Sequence, residues 1–231
     1  MKTITEAIVL HLAKYSDKAS ILHVYTRNYG RMAYMVYGGK KKKSLLTITS
    51  EPLSLVEIEA THSPGREIQT LNNISLAYVA GNTVSDFRRR SISVFIAEFL
   101  YRTLRHPEPD NGLFNFLYSI VKELNNSISS ENIHLRFLVE YTYYLGIMPQ
   151  LDDNNLMLDI TTGLLIPPGN YDNCFSVEET DLLIKIHQNI PVSIDRKMRQ
   201  TLLEKLCLYY ECHIQDFSTP KSLDILKTVF D

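Results

Sequence analysis

The chain has 231 residues, of which 45% are hydrophobic and 22% charged, with nine glycines and nine prolines. Such proportions describe a folded globular protein of one large domain or two modest ones, and exclude a disordered or collagen-like chain. The formal net charge of -2 gives no reason by itself to expect a polyanionic partner.

Met1–Glu6 carries one cation followed by an acid, and the apolar run Ala7–Leu10 is too short for the core of a secretory signal. The cluster Ile92–Leu100 is broken by Ser93 and Glu98, so it cannot supply the ~20 apolar residues of a spanning helix. A cytoplasmic protein without a membrane partner is expected. Cys174, Cys207 and Cys212 form no CxxC pair and fit buried free thiols in a reducing compartment.

The first 80 residues read as strands. Thr3–Leu12 alternates Ile4, Ile8, Leu10 and Leu12 on one face, and Ala19–Thr26 and Arg31–Val36 form a hairpin about Arg27-Asn28-Tyr29-Gly30. Leu53–Thr61 changes phase between Leu55 and Val56, which predicts a bulge or bend there. The turn Ser63-Pro64-Gly65 leads to a fifth strand, about 66–76. Five short strands with one longer linker at 38–52 match an OB-type barrel, with an SH3-like barrel as the competing reading.

From Asn82 the period becomes helical. Ile92, Phe95, Ile96, Phe99, Leu100 and Thr103 form one stripe, and Leu113, Leu117, Ile120, Val121 and Leu124 a second behind an Asp110-Asn111 cap. A third helix spans about 131–145 and stops at Gly146. Residues 149–175 lose the helical period and predict a small hairpin, 156–160 with 164–166. Ser176-Val177-Glu178-Glu179 is a capping-box signature, and helices about Met198–Tyr210 and Ser222–Phe230 follow. The expectation is therefore an α+β protein: an N-terminal OB-fold β-barrel at 1–80, then a mostly α-helical domain at 81–231 with a β-hairpin insertion at 149–175.

Charge divides along the same line. Residues 1–80 hold ten Lys/Arg and six Asp/Glu (+4), 81–150 hold seven of each, and 151–231 hold seven against thirteen (-6). A basic barrel joined to an acidic part suggests nucleic-acid binding at one end of the chain. Four adjacent cations, Lys40, Lys41, Lys42 and Lys43, follow Tyr34 and Tyr37 directly, and a cationic groove beside stacking aromatics is a recurring recipe for single-strand binding. Lys14, Lys18, Arg27 and Arg31 can extend that track. Arg88, Arg89 and Arg90 form a second cluster whose three side chains span about 200° of a helix, so at least one reaches solvent or phosphate, with pairing to acids such as Asp86 as the alternative.

Signs of covalent chemistry are lacking. Gly39-Lys40 is not a phosphate-binding P-loop, because Tyr34 stands where its first glycine belongs and Lys41 where Ser or Thr would follow. No GxSxG, HExxH or GxGxxG occurs. Asp152, Asp153 and Asp159 are the residues that a metal-dependent nuclease reading would need; a polar loop is the simpler one.

Thr5-Glu6-Ala7-Ile8-Val9-Leu10, Tyr15-Ser16-Asp17-Lys18, Tyr25-Thr26-Arg27-Asn28-Tyr29-Gly30-Arg31 and Tyr37-Gly38-Gly39-Lys40-Lys41-Lys42-Lys43-Ser44 together resemble the N-terminal domain of the bacterial RecO recombination-mediator family. Pro52–Glu57, Glu108-Pro109, Leu145–Leu151, Tyr209–His213 and Lys221-Ser222-Leu223 extend the resemblance over the chain. It implies a non-enzymatic, nucleoid-associated DNA repair protein. Such a protein binds single- and double-stranded DNA, anneals complementary strands, and with RecR helps load RecA onto DNA coated by single-strand-binding protein. The basic residues carried over are Lys18, Arg27, Arg31 and Lys40 to Lys43; Tyr34 and Tyr37 come from the stacking argument. Many members hold a four-cysteine zinc module where this chain has 149–175. Here only Cys174 is present, and one thiol cannot build a four-thiolate site, so no metal or other cofactor is expected. An OB-fold RNA-binding module and a protein adaptor without annealing activity are the alternatives.

Overall fold

The computed structural model describes residues 2–37, 51–78, 87–104, 108–126 and 132–229. Five strands, β1 (Lys2–Lys14), β2 (Ala19–Thr26), β3 (Gly30–Tyr37), β4 (Leu55–Thr61) and β5 (Ile68–Leu76), close into a barrel of order β1-β2-β3-β5-β4. Every neighbouring pair is antiparallel except β3 with β5, which run parallel at Ala33↔Ile68 to Met35↔Thr70. That closure is the OB topology, and it settles the choice against an SH3-like barrel. Ala7, Val9, Leu22, Val24, Tyr34 and Ile58 form the barrel core. On β1 this is not the expected face: Ile4 is exposed, Ile8 and Leu10 are buried outside that cluster, and only Leu12, past the register shift at Val9/His11, packs against it.

The hairpin between β2 and β3 forms as its sequence expects. Gly30 takes φ +62, and the Thr26 hydroxyl donates to the Gly30 carbonyl (3.0 Å) while accepting from the Tyr29 N–H (3.0 Å). The bulge or bend expected at Leu55/Val56 lies elsewhere. β1 and β4 pair regularly through Ile8↔Leu55 and Ala7↔Val56, and register shifts fall at Val9/His11 and at Glu59/Ala60. Leu55 and Val56 are both buried, but further along β4 only Ile58 and Ala60 are, while Glu57 on the Leu55 face is exposed; the chain enters the strand through Leu53 at φ +61, whose N–H donates to the Val9 carbonyl (2.8 Å).

The described chain divides into two compact units, 1–128 and 129–231. Residue 80 separates strands from helices, but α1 (Phe87–Thr103) and α2 (Asn111–Asn126) belong with the barrel. Their stripes are buried as the periodicity requires, with α1 against β1 and Phe114 of α2 stacked on Tyr25 at 6.3 Å. The Asp110 carboxylate accepts from the Leu113 N–H (3.0 Å) at the head of α2, as the cap predicted.

The second unit contains α3 (Ile133–Tyr144), α4 (Val177–His187), α5 (Arg196–His213) and α6 (Ser222–Val229). Phe137, Tyr141 and Tyr210 stack at its centre, where the Tyr210 hydroxyl donates to the Leu138 carbonyl (2.7 Å). Between α3 and α4 the expected hairpin is a three-stranded sheet, order β7-β6-β8, of β6 (Met157–Asp159), β7 (Leu165–Ile166) and β8 (Cys174–Phe175). Its turn needs Gly163: φ is +72, and a Cβ there would meet the Tyr209 hydroxyl at 2.7 Å. Among the described residues no helix is long and apolar enough to cross a membrane.

Candidate nucleic-acid interface

The strand register orders the outer surface of the β1–β2–β3 sheet into rows. His11, His23 and Ala33 form one, Ala13, Ile21 and Met35 the next, and Ala19 with Tyr37 the last, at the rim. Tyr37 ends β3 at 54% exposure, opposite the first residue of β2. Lys18 is exposed in the turn just before it, with its N–H donating to the Ser16 hydroxyl (3.3 Å). The structure therefore brings Lys18 and Tyr37 together at one rim. Lys40, Lys41, Lys42 and Lys43, which follow Tyr37 in the sequence, lie outside the described residues.

Tyr34 does not join them. It points into the barrel at 0% exposure, its hydroxyl lies 3.0 Å from His62 Nε2, and burial pushes its phenol well above the ordinary range. A ring enclosed by the core cannot stack on a base. Its neighbours at i±2, Met32 and Val36, are apolar and carry the signal that Tyr34 shares their inward face.

Arg27 and Arg31 are at the opposite end of the hairpin, in register with Glu6 and Tyr25 rather than with Ala19. Seven strand steps separate Ala19 from Thr26, about 23 Å, so one continuous basic track through all these residues does not form. Both guanidinium groups are committed to the helices. Arg27 Nε donates to Glu6 Oε2 (2.8 Å) and Nη1 to Asn115 Oδ1 (2.8 Å), with the guanidinium 4.3 Å from the Phe114 ring centroid. Arg31 donates to the Leu104 carbonyl at the end of α1 and lies 4.7 Å over Tyr101. Tyr101 also packs on His11 (4.9 Å) and His23 (5.1 Å), and burial, then Arg31 and His11, lower the His23 pKa.

The arginine cluster divides by helical position. Arg88 is exposed, Arg89 Nη1 donates to the Asn125 carbonyl (3.3 Å) and ties α1 to α2, and Arg90 is exposed with Nη2 3.8 Å from Glu51. Tyr15 is at the rim too, at 65% exposure, with its N–H donating to the Ala19 carbonyl (3.1 Å). Strand periodicity alone does not single it out, since it lies one residue past β1.

In the insertion, Cys174 is buried on β8, and burial raises its thiol pKa. Asp159 accepts from the N–H groups of Thr161 (2.7 Å) and Thr162 (2.9 Å), and Asp153 from that of Asn155 (2.9 Å), so these carboxylates shape turns. Among the described residues no group of three or more His, Cys, Asp or Glu side chains could hold a metal ion.

A closed OB barrel with two helices packed on it, followed by a helical unit with a small sheet, defines an OB-fold protein of α+β class. Residues 1–79 match the family model described as "Recombination protein O N terminal", and residues 84–157 that of "Recombination protein O C terminal". DNA repair protein RecO of Porphyromonas gingivalis is 31% identical over 245 residues, covering 100% of each chain. DNA repair protein RecO of Phocaeicola vulgatus is 30% identical over 236 residues, with 98% of each covered, and that of Flavobacterium psychrophilum 29% over 238, with 100% of each covered. The chain belongs to the RecO family of DNA repair proteins.

Proposed function

We propose that this RecO-family protein is a non-enzymatic recombination mediator. It binds single- and double-stranded DNA through the barrel, anneals complementary strands, and works with RecR to load RecA onto DNA coated by single-strand-binding protein. The observation that carries the DNA-binding part is the concentration of exposed lysine and tyrosine, Lys14, Tyr15, Lys18 and Tyr37, at one rim of an OB barrel, in a chain whose sequence continues from Tyr37 into Lys40 to Lys43. Annealing follows from electrostatics: cations that neutralise phosphates on two strands lower their repulsion, while weak stacking leaves base edges free to pair. Arg88 and Arg90 supply further exposed cations. Arg27 and Arg31 act chiefly as supports of the barrel–helix packing.

The test is annealing of complementary oligonucleotides by the full chain in EDTA without nucleotide, followed by fluorescence transfer. Acceleration over the spontaneous rate is expected; a protein that binds DNA without accelerating pairing would be an adaptor. Contact with about four to six phosphates gives a single-strand salt slope of about -3 to -4. Replacing Lys40 to Lys43 by Ala should reduce that slope and weaken binding to every sequence alike, and an unchanged slope would move the DNA site elsewhere.

A further inference from the structure

We infer that Tyr15 and Tyr37 form a two-ring stacking platform for the bases of single-stranded DNA at the barrel rim, an inference that rests on the DNA-binding function proposed above. Six tyrosines lie in the first 80 residues, at positions 15, 25, 29, 34, 37 and 78. Four have work within the fold. The Tyr25 hydroxyl accepts from the Asp110 N–H (3.3 Å), Tyr29 meets the His62 ring edge-on at 4.4 Å, Tyr34 bonds His62, and the Tyr78 hydroxyl donates to Asn126 Oδ1. Tyr15 and Tyr37 make no ring contact and no side-chain hydrogen bond among the described residues, and they are the two most exposed of the six, at 65% and 54%.

These two are also neighbours. Tyr15 and Ser16 both donate their N–H groups to the Ala19 carbonyl (3.1 and 2.9 Å), and Ala19 pairs directly with Tyr37. The three residues thus form one row across the rim, which sets the backbones of Tyr15 and Tyr37 two strand spacings apart, about 10 Å. Between them in the row stands the small side chain of Ala19, itself buried. A phenol that the fold leaves in water offers a flat apolar face with a polar edge, and a nucleobase has the matching shape.

Charge selects the same occupant. Lys14 and Lys18 are exposed on either side of Tyr15, and the single acid between them, Asp17, is 3.2 Å from Lys14 in a largely solvated pair that holds neither group firmly. The five-residue turn keeps a net positive charge, and phosphates on the strand whose bases stack would pass these ammonium groups. A row of only two rings also suits annealing, because most bases of the bound strand remain unstacked and able to pair.

The test compares, for the full chain, an oligo-dT strand with an abasic strand of the same length, which keeps the phosphates and lacks the bases. Wild type should prefer oligo-dT, and Tyr15→Ala and Tyr37→Ala should each remove about tenfold, equivalent to about 1.4 kcal/mol. The double Ala variant should bind both strands alike with an unchanged salt slope, while Tyr15→Phe with Tyr37→Phe should retain the preference. Equal affinity of wild type for the two strands, or a preference that survives in the double Ala variant, overturns the platform and leaves the DNA-binding function standing. Failure of wild type to bind either strand at low salt overturns that function and the platform with it.

Discussion

Arg27 has its guanidinium on Glu6, Asn115 and the Phe114 ring at once, with the side chain only 30% exposed. The ion pair is half-solvated and contributes little, so the hydrogen bond to α2 and the cation–π contact carry the effect. Arg27→Ala should destabilise the barrel unit by about 1–2 kcal/mol in urea unfolding while leaving the DNA salt slope unchanged. Arg27→Lys should recover only part of that loss, because an ammonium cannot span the three partners. A slope reduced at constant stability would instead make Arg27 a phosphate ligand. His134 in α3 is a different case. It is completely buried, and burial together with Arg199 lowers its pKa to about 3. The unfolded chain, with an ordinary histidine near 6.5, takes up the proton first as pH falls. The stability present above about pH 6.5 is therefore lost progressively toward about pH 3, about 2 kcal/mol of it by pH 5. Urea midpoints at pH 7 and pH 5 should differ accordingly in wild type, and His134→Gln should flatten the difference.

Among the elements, α4 shows how a local signature acquires a tertiary partner. Ser176 Oγ accepts from the Glu179 N–H (3.2 Å), and Glu179 Oε2 accepts in return from the Ser176 N–H (2.7 Å) and from Lys205 Nζ (2.6 Å) on α5. Lys205 also donates to the Cys174 carbonyl (2.8 Å), which ties β8 to the same group. Ser176→Ala should cost about 1 kcal/mol, read as a lowered midpoint in chemical unfolding monitored by helix content. The capping box was legible because its whole geometry lies within four residues. The five strands were legible as strands from short apolar, β-branched runs between turn residues, but the inward face of β1 was not, because Ala7, Ile8, Val9 and Leu10 are all buried and the apolar pattern there does not tell one face from the other. β8 was not, since Cys174 and Phe175 are too few to show a period. The phase change was read as a bulge or bend at Leu55/Val56; the backbone bends two residues earlier, at Leu53, because a shift in the pattern marks an irregularity without fixing the residue that makes it. Nor were the roles of Arg27 and Arg31 legible: Asn115 and Leu104 lie 88 and 73 residues further along the chain, and only the packing of α1 and α2 brings them into reach. Sequence proximity to a lysine run suggested a DNA site containing Tyr34, whereas strand parity places that ring inside.

At the scale of the molecule, the two compact units sharpen the charge division. Residues 1–128 hold sixteen Lys/Arg against eleven Asp/Glu (+5), and residues 129–231 hold eight against fifteen (-7). The helices that pack on the barrel thus add to its positive charge, and the total of -2 is a difference between two larger and opposite numbers. Because the affinity of a protein for nucleic acid follows the local density of cations more than the net charge, the near-neutral sum does not weigh against DNA. It does predict where DNA goes. When the full chain is photo-crosslinked to a single strand carrying halogenated thymine analogues at about 0.1 M salt, crosslinked peptides should come from residues 1–128, those around Tyr15 and Tyr37 among them. Peptides from 129–231 should be depleted, since a surplus of seven carboxylates over cations repels phosphate and the repulsion is felt over about 10 Å at that ionic strength. Crosslinks concentrated in 129–231 would mean that a minority of local cations there outweighs the field of the unit. Raising the salt separates the two cases: screening should weaken crosslinking to 1–128 and, if the acidic unit only repels, should produce no gain in 129–231 that offsets it.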